Sequence, residues 1–439
     1  MSEKRHRHQQ RRQGRKAKGR SRSGIPHRGA QGTGSPELEI ERELTGLLGD
    51  LAEIAAAGAG EPDNALEAEQ WASGLVGTWG RWPLPHAELA ERFGSDFVRA
   101  LEGLGSTGAL ATLRALGAVG AESYAGMARE AADRLGEAGV EEPVWSAALG
   151  QARPRVALLM YDEVFDDGVS VIVEFEVPGA EPHTLGIYID HNLGGLVKDV
   201  FLAAPLTEIR RQLAANGDER PALRGLDLAD ARARVERALD MLDRTLDPPV
   251  DEDVRSLRAL IAARMRTLPA SGSAPAEPQE VEQEKCERLL ADFLGSSEGG
   301  GWRGDEDAEE VAIAAIDFGA GYNHGGPLRW SPVVVELFMT GWLPRKIARE
   351  PEFFQRVPQV LRDWVTYAGR CRGVPETPLR ETAAAVDRYR EEMLEAVVDP
   401  AAWGPAKALV MEAQRAGVDL SDPGALEEFV GRWDDELAA

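Results

Sequence analysis

The segment VSVIVEFEV, residues 169–177, constrains the fold more than any other. Val169, Val171, Val173, Phe175 and Val177 fall on one side of an extended chain. Ser170, Glu174 and Glu176 fall on the other, with Ile172 the exception. A period of two is what a strand with one buried face requires. HTLGIYID (183–190) repeats it through Leu185, Ile187 and Ile189, and RVALLMYDEVF (155–165) precedes both. The joints DDG (166–168) and PGAEP (178–182) are short enough for hairpins. The pattern predicts a three-stranded antiparallel meander with one face covered by helices.

Outside that island the apolar spacing is helical. Helices are expected at about 65–77, 86–102, 107–117, 121–138 and 143–150, then at 195–203, 205–216, 227–246 and 251–267. PASGSAPAEPQ (269–279) has linker composition. Ser331–Pro332 and Asp422–Pro423 fit an N-cap followed by Pro in the first turn, and Asp251 fits an N-cap. Leu426, Phe429, Val430 and Trp433 share one face of a last helix. The expected class is α+β, predominantly α-helical. The expected organisation is a disordered basic arm (1–36), a helical domain (37–150), an α+β domain (151–268), a linker (269–280) and a C-terminal helical domain (281–439).

Charge is strongly segregated. The chain has 50 Lys+Arg against 74 Asp+Glu, a net of −24 over 439 residues. Residues 1–30 hold 11 of the basic residues and one acid, Glu3, so the remainder carries 39 against 73, a net of −34. An acidic body repels phosphates and a basic arm attracts them. Lys4, Arg5, Arg7, Arg11, Arg12, Arg15, Lys16, Lys18, Arg20 and Arg22 are the arm's candidate polyanion contacts. They lack interleaved aromatics, which points to phosphate contacts rather than base stacking; a merely solvated tail stays open. A second basic island at 341–373 makes Arg345, Lys346 and Arg349 candidates for a protein-docking surface, against salt links to the acidic run at 305–310. Cys286 and Cys371 are the only cysteines, which excludes a disulfide framework and suits a cytoplasmic setting. No apolar run is long enough to span a membrane.

DHNLGG (190–195) is the most crowded polar stretch, placed where a strand ends. Asp190, His191 and Asn192 are the catalytic candidates: Asp orients His, and N–H groups of a helix beyond Gly195 hold an anion. The same residues also make an ordinary polar turn, and no partner elsewhere in the sequence is identifiable, so the turn reading is preferred. Three motif matches lack their context. GLGSTG (103–108) follows a helix rather than a strand, and GSSEG (295–299) is a helix entering a Gly-rich loop. EVFDDGVSVIVE (163–174) puts Phe165 where a calcium loop needs an oxygen. No motif points to a cofactor or a metal.

ALEAEQWASGLVGTW (65–79), IDHNLGGLVKDVFL (189–202), TLDPPVDEDVRSLRALIAARM (245–265) and WSPVVVELFMTGWLPRK (330–346) resemble stretches of a family of actinobacterial cytosolic proteins. That family has no established activity, so the resemblance implies a bacterial cytosol and no catalytic residue. Two functions are expected from the residues. The first is an interaction protein with a protein partner, contacting nucleic acid or the ribosome through its arm. The alternative is a hydrolase or transferase acting on an anionic small molecule at Asp190–Gly195.

Overall fold

The computed structural model describes residues 36–60, 62–79, 86–216, 221–276, 281–323, 325–419, 424–425 and 429–431. Residues 1–35 of the expected arm therefore lie outside the described residues, as do Asp422–Pro423, Leu426 and Trp433, while Pro36, expected in the arm, begins a helix. By its contacts the chain divides after Leu47, and the sheet and the helices packed on it belong to the larger unit.

The protein is α+β and predominantly helical. α1 (Pro36–Gly58), α2 (Ala65–Trp79), α3 (His86–Leu104), α4 (Thr107–Val119) and α5 (Glu122–Glu137) lead into the sheet. The GLGSTG match is a helix end and a new start: Ser106 caps α4 by accepting the Ala109 N–H at 3.2 Å. Residues 143–150, expected as a helix, form only a 3-10 turn at Ser146–Ala148.

The sheet has five antiparallel strands, in the order β4-β3-β2-β1-β5. β1 (Arg153–Asp162), β2 (Gly168–Glu176) and β3 (His183–Asp190) are the expected meander. Two strands were not expected. β4 (Leu196–Ala203) replaces the helix predicted at 195–203, and β5 (Pro221–Leu226) pairs with β1 after α6 (Leu206–Asn216). The error at β4 has a physical cause. Opposite it the register slips between Tyr188 and Ile189, so that Leu196, Val197 and Val200 are all buried. Their spacing imitates a helix face although the backbone is extended.

One face of the sheet packs Val171, Val173, Leu185, Ile187 and Val197 against Val235 and Leu239 of α7 (Leu228–Arg244) and Ile261 and Met265 of α8 (Glu252–Arg266). The other face is also covered, which explains why Ile172 breaks the alternation. Ile172 packs with Leu158 beneath Leu206 of α6. Glu174, buried on that side, accepts the Leu206 N–H at 2.9 Å and meets Arg155 at 3.4 Å. α8 is shared between layers: its Leu260 and Ala263 pack with Ala68 and Ala72 of α2. Gly77 of α2 permits that crossing, since a Cβ there would lie 2.4 Å from the Arg255 carbonyl oxygen. Residues 269–276 run along α7, with Ser273 N–H donating to Asp230 at 2.9 Å.

The C-terminal helices are α9 (Gln283–Gly295), α10 (Glu306–Gly321), α11 (Pro332–Glu336), α12 (Leu343–Lys346), α13 (Pro351–Phe354), α14 (Val357–Arg372), α15 (Glu376–Arg388), α16 (Arg390–Val398) and α17 (Pro405–Arg415). They enclose a core containing Phe293, Phe318, Trp330, Phe338 and Trp364. Ser331 caps α11 by accepting the Val334 N–H at 3.1 Å, with Pro332 in the first turn. Between α11 and α12 the helix widens to π geometry over Leu337–Trp342. Pro344 accounts for the widening, because it has no N–H to offer the carbonyl one turn back.

Candidate functional site

The DHNLGG turn is built from its own backbone needs. Asp190 Oδ1 accepts the Asn192 N–H at 2.7 Å, and Gly195 N–H returns to the Asp190 carbonyl at 2.9 Å. Gly194 and Gly195 have φ of +73° and +83°, left-handed conformations that side chains resist. The chain then enters β4. No helix follows Gly195, so the helix N–H groups expected to hold an anion there are instead part of a strand ladder. The second carboxylate oxygen of Asp190 takes Lys198 Nζ at 2.7 Å, with Asp190 buried and Lys198 partly exposed.

β2 and β3 bring a second loop alongside. Gly168 pairs with Asp190, placing the 163–167 loop beside the turn. A Cβ at Gly168 would lie 2.5 Å from both the Ile189 carbonyl and the Tyr188 hydroxyl. Asp162 shapes the loop by accepting the Val164 and Phe165 N–H groups at 2.8 and 3.2 Å. Asp166 has φ of +54°, which aspartate tolerates better than most residues. Its side chain lies 3.1 Å from His191 Nδ1. Burial works to raise the Asp166 carboxyl, but His191, Arg329 and Arg372 together outweigh it and hold it below its ordinary range. Burial, with the Asp190 and Asp167 charges, pushes the Tyr188 hydroxyl up.

The partner that the sequence did not reveal is Arg329. It comes from the segment before α11 and is 1 % exposed. Its Nη1 donates to the Phe165 and Asp166 carbonyls at 3.2 Å each and to Asp167 Oδ1 at 3.1 Å. Its Nη2 donates to the Asn192 side-chain oxygen, and its Nε to Asn323 Oδ1 at 2.7 Å. Asp167 Oδ1 also accepts Ser331 Oγ at 2.6 Å and Asn192 Nδ2 at 3.1 Å. Burial lowers the Arg329 guanidinium and Asp167 opposes that shift. One arginine thus ties two sheet loops to the C-terminal helices.

Asp190, His191 and Asn192 are therefore brought together with Asp166, Asp167 and Arg329. Asp190 and Asn192 have their polar atoms engaged by neighbours within the protein. A shallow cleft of about 250 Å³ lies beside them, lined by Asp162, Phe165, Asp167, Pro221, Pro332, Val333 and Glu381. Its carboxylates make it a poor receptor for an anion. Among the described residues no three His, Cys, Asp or Glu side chains are grouped to hold a metal ion.

The second basic island is mostly engaged as well. Arg349 donates to Glu310 at 2.5 Å and to Asp307 at 2.6 Å, and lies over the Phe353 ring at 4.8 Å. Lys346 Nζ lies 5.7 Å from the Tyr322 ring centroid, and Arg345 is exposed at the end of α12. Cys286 is buried and Cys371 exposed, and neither is in a disulfide.

A second buried polar group escaped sequence reasoning. Glu69 of α2 and Arg264 of α8 pair at 2.5 Å with both side chains 3 % exposed. Glu69 also accepts the Gly150 N–H at 2.8 Å. Arg264 Nε reaches His183 Nε2 at 3.4 Å, and His183 stacks on Phe175 at 5.7 Å. Burial and the Arg264 charge lower His183 to about 4. The only signal in the sequence was a charged residue on the apolar face of each helix. No protein-family model, no curated protein and no solved structure matches the chain.

Proposed function

We propose that the chain is a non-enzymatic interaction protein that contacts nucleic acid or another polyanion through the basic residues between Lys4 and Arg22. Charge segregation carries this reading: a net of −34 beyond residue 30 against 11 basic residues and one acid before it. An acidic body discourages contact with a polyanion over its general surface, so polyanion binding is assigned to the arm. Two features of the turn count against the enzymatic alternative. Asp190 is committed to Lys198 and the Asn192 N–H. The adjoining cleft is lined by Asp162, Asp167 and Glu381, which repel an anionic substrate.

The test is filter binding of a labelled oligonucleotide to the full chain and to a full-length variant with the ten arm Lys and Arg residues changed to Gln. The intact chain binds with an affinity that falls linearly in log–log salt titration, and the neutral-arm variant loses most of that affinity. Equal affinity in both, without salt dependence, rules the arm out.

A further inference from the structure

We infer that Arg224 and Arg234 form a binding site for an oxyanion of the phosphate class, at the corner where edge strand β5 meets α7. In the β1–β5 ladder Arg224 stands opposite Leu159 and Ala222 opposite Tyr161. Opposed residues share a face, so Arg224 is on the side of the sheet that α7 covers. Its guanidinium lies over the Tyr161 ring, 5.1 Å from the centroid. Arg234 approaches from α7, adjacent to Val235, which is buried against the sheet. Arg234 is half-buried, and its enclosed Nε has no hydrogen-bond partner among the described residues.

Neither guanidinium has a counter-ion among the described residues. Asp230, one turn before Arg234 on α7, forms no ion pair with it and accepts the Ser273 N–H at 2.9 Å, and Glu163 accepts at 3.1 Å the hydroxyl of the Tyr161 on which Arg224 lies. Several arginines of the chain are instead paired with carboxylates. Arg114 forks onto Glu142 and Asp133, and Arg134 onto Glu102. Burial, then the Arg224 charge, lowers the Arg234 guanidinium, and Asp230 opposes the shift. A pair of like charges held together on two rigid elements is costly unless an anion joins it. A strand and a helix that each supply a guanidinium on the same side of the sheet suit a tetrahedral oxyanion, which accepts donors from several directions. The site uses no residue of the arm.

The test is isothermal titration of the full chain with inorganic phosphate, at constant ionic strength against a chloride control, with a nucleoside monophosphate as a second arm. Saturable phosphate binding is expected. Arg224→Ala and Arg234→Gln should each weaken it at least tenfold, with Arg224→Lys in between because an ammonium lacks the fork. Arg224 is exposed, so its Ala variant decides the matter even if Arg234→Gln fails to fold. If both titrations depend on the arginines, the tighter one identifies free or organic phosphate as the source. No saturable binding above chloride in either titration, or wild-type binding by Arg224→Ala, overturns the proposal.

Discussion

Arg329 Nη1 and Asp167 Oδ1 stand 3.1 Å apart, joining the segment before α11 to the β1–β2 loop, with Arg329 1 % exposed. A buried ion pair between distant segments is a weak net stabiliser when intact and a strong destabiliser when halved. Arg329→Met takes the counter-charge from Asp167, which keeps only the neutral donors Ser331 and Asn192, and the donor from the loop carbonyls, at a cost of about 3–5 kcal/mol. Asp167→Asn keeps the shape and costs less, about 1–3 kcal/mol. Urea unfolding of both single variants and the double variant checks this. The coupling energy should exceed about 1 kcal/mol; strict additivity excludes the pairing.

Glu69 and Arg264 invite the complementary experiment. Glu69→Ala strands a buried guanidinium and should lower stability by about 3–5 kcal/mol. Replacing both, as Glu69→Leu with Arg264→Met, should recover much of the loss, because no charge then remains to be desolvated. Thermal melting of wild type, the single variant and the double variant separates these outcomes.

His183 sets an acid-sensitive window. Its pKa falls from 6.5 to about 4 on folding, through burial and then Arg264. The unfolded chain therefore binds the extra proton between those values. Stability contributed by neutral His183 is complete above pH 6.5 and lost as pH falls toward 4. The loss amounts to about 3 kcal/mol at most. A His183→Gln variant measured by urea unfolding from pH 7 to 4 should show a flatter profile than wild type. Identical slopes would mean that the imidazole is not buried neutral.

Lys407 gives a window at the other end of the scale. It is 3 % exposed, lies 5.3 Å from both the Phe354 and Trp403 rings, and donates to the Val397 carbonyl at 3.2 Å. Burial lowers it from 10.5 to about 8. The folded state then binds fewer protons than the unfolded one across that range, so stability should rise as pH increases from 8 toward 10.5. Lys407→Met removes the titration. The difference between the wild-type and variant stability curves isolates the lysine from the tyrosines that ionise nearby in pH.

The alternation in residues 169–177 and 183–190 was enough to determine the meander, its order and its inward residues, because a half-buried strand imposes a period of two. Helical spacing likewise located α7 and α8, and Ser331–Pro332 marked the start of α11. β4 was hidden because a register slip buried Leu196 and Val197 together, and β5 because Leu223, Arg224 and Gly225 are exposed and show no alternation. Within the DHNLGG turn, local hydrogen bonds were legible, since Asp and Gly satisfy them within a few residues. Its partner was not. Arg329 is 137 residues from Asn192, and a buried guanidinium reads in sequence like any surface arginine. Only the tertiary structure decides which charges lose their water, because desolvation depends on what packs around a residue and not on its neighbours in the chain.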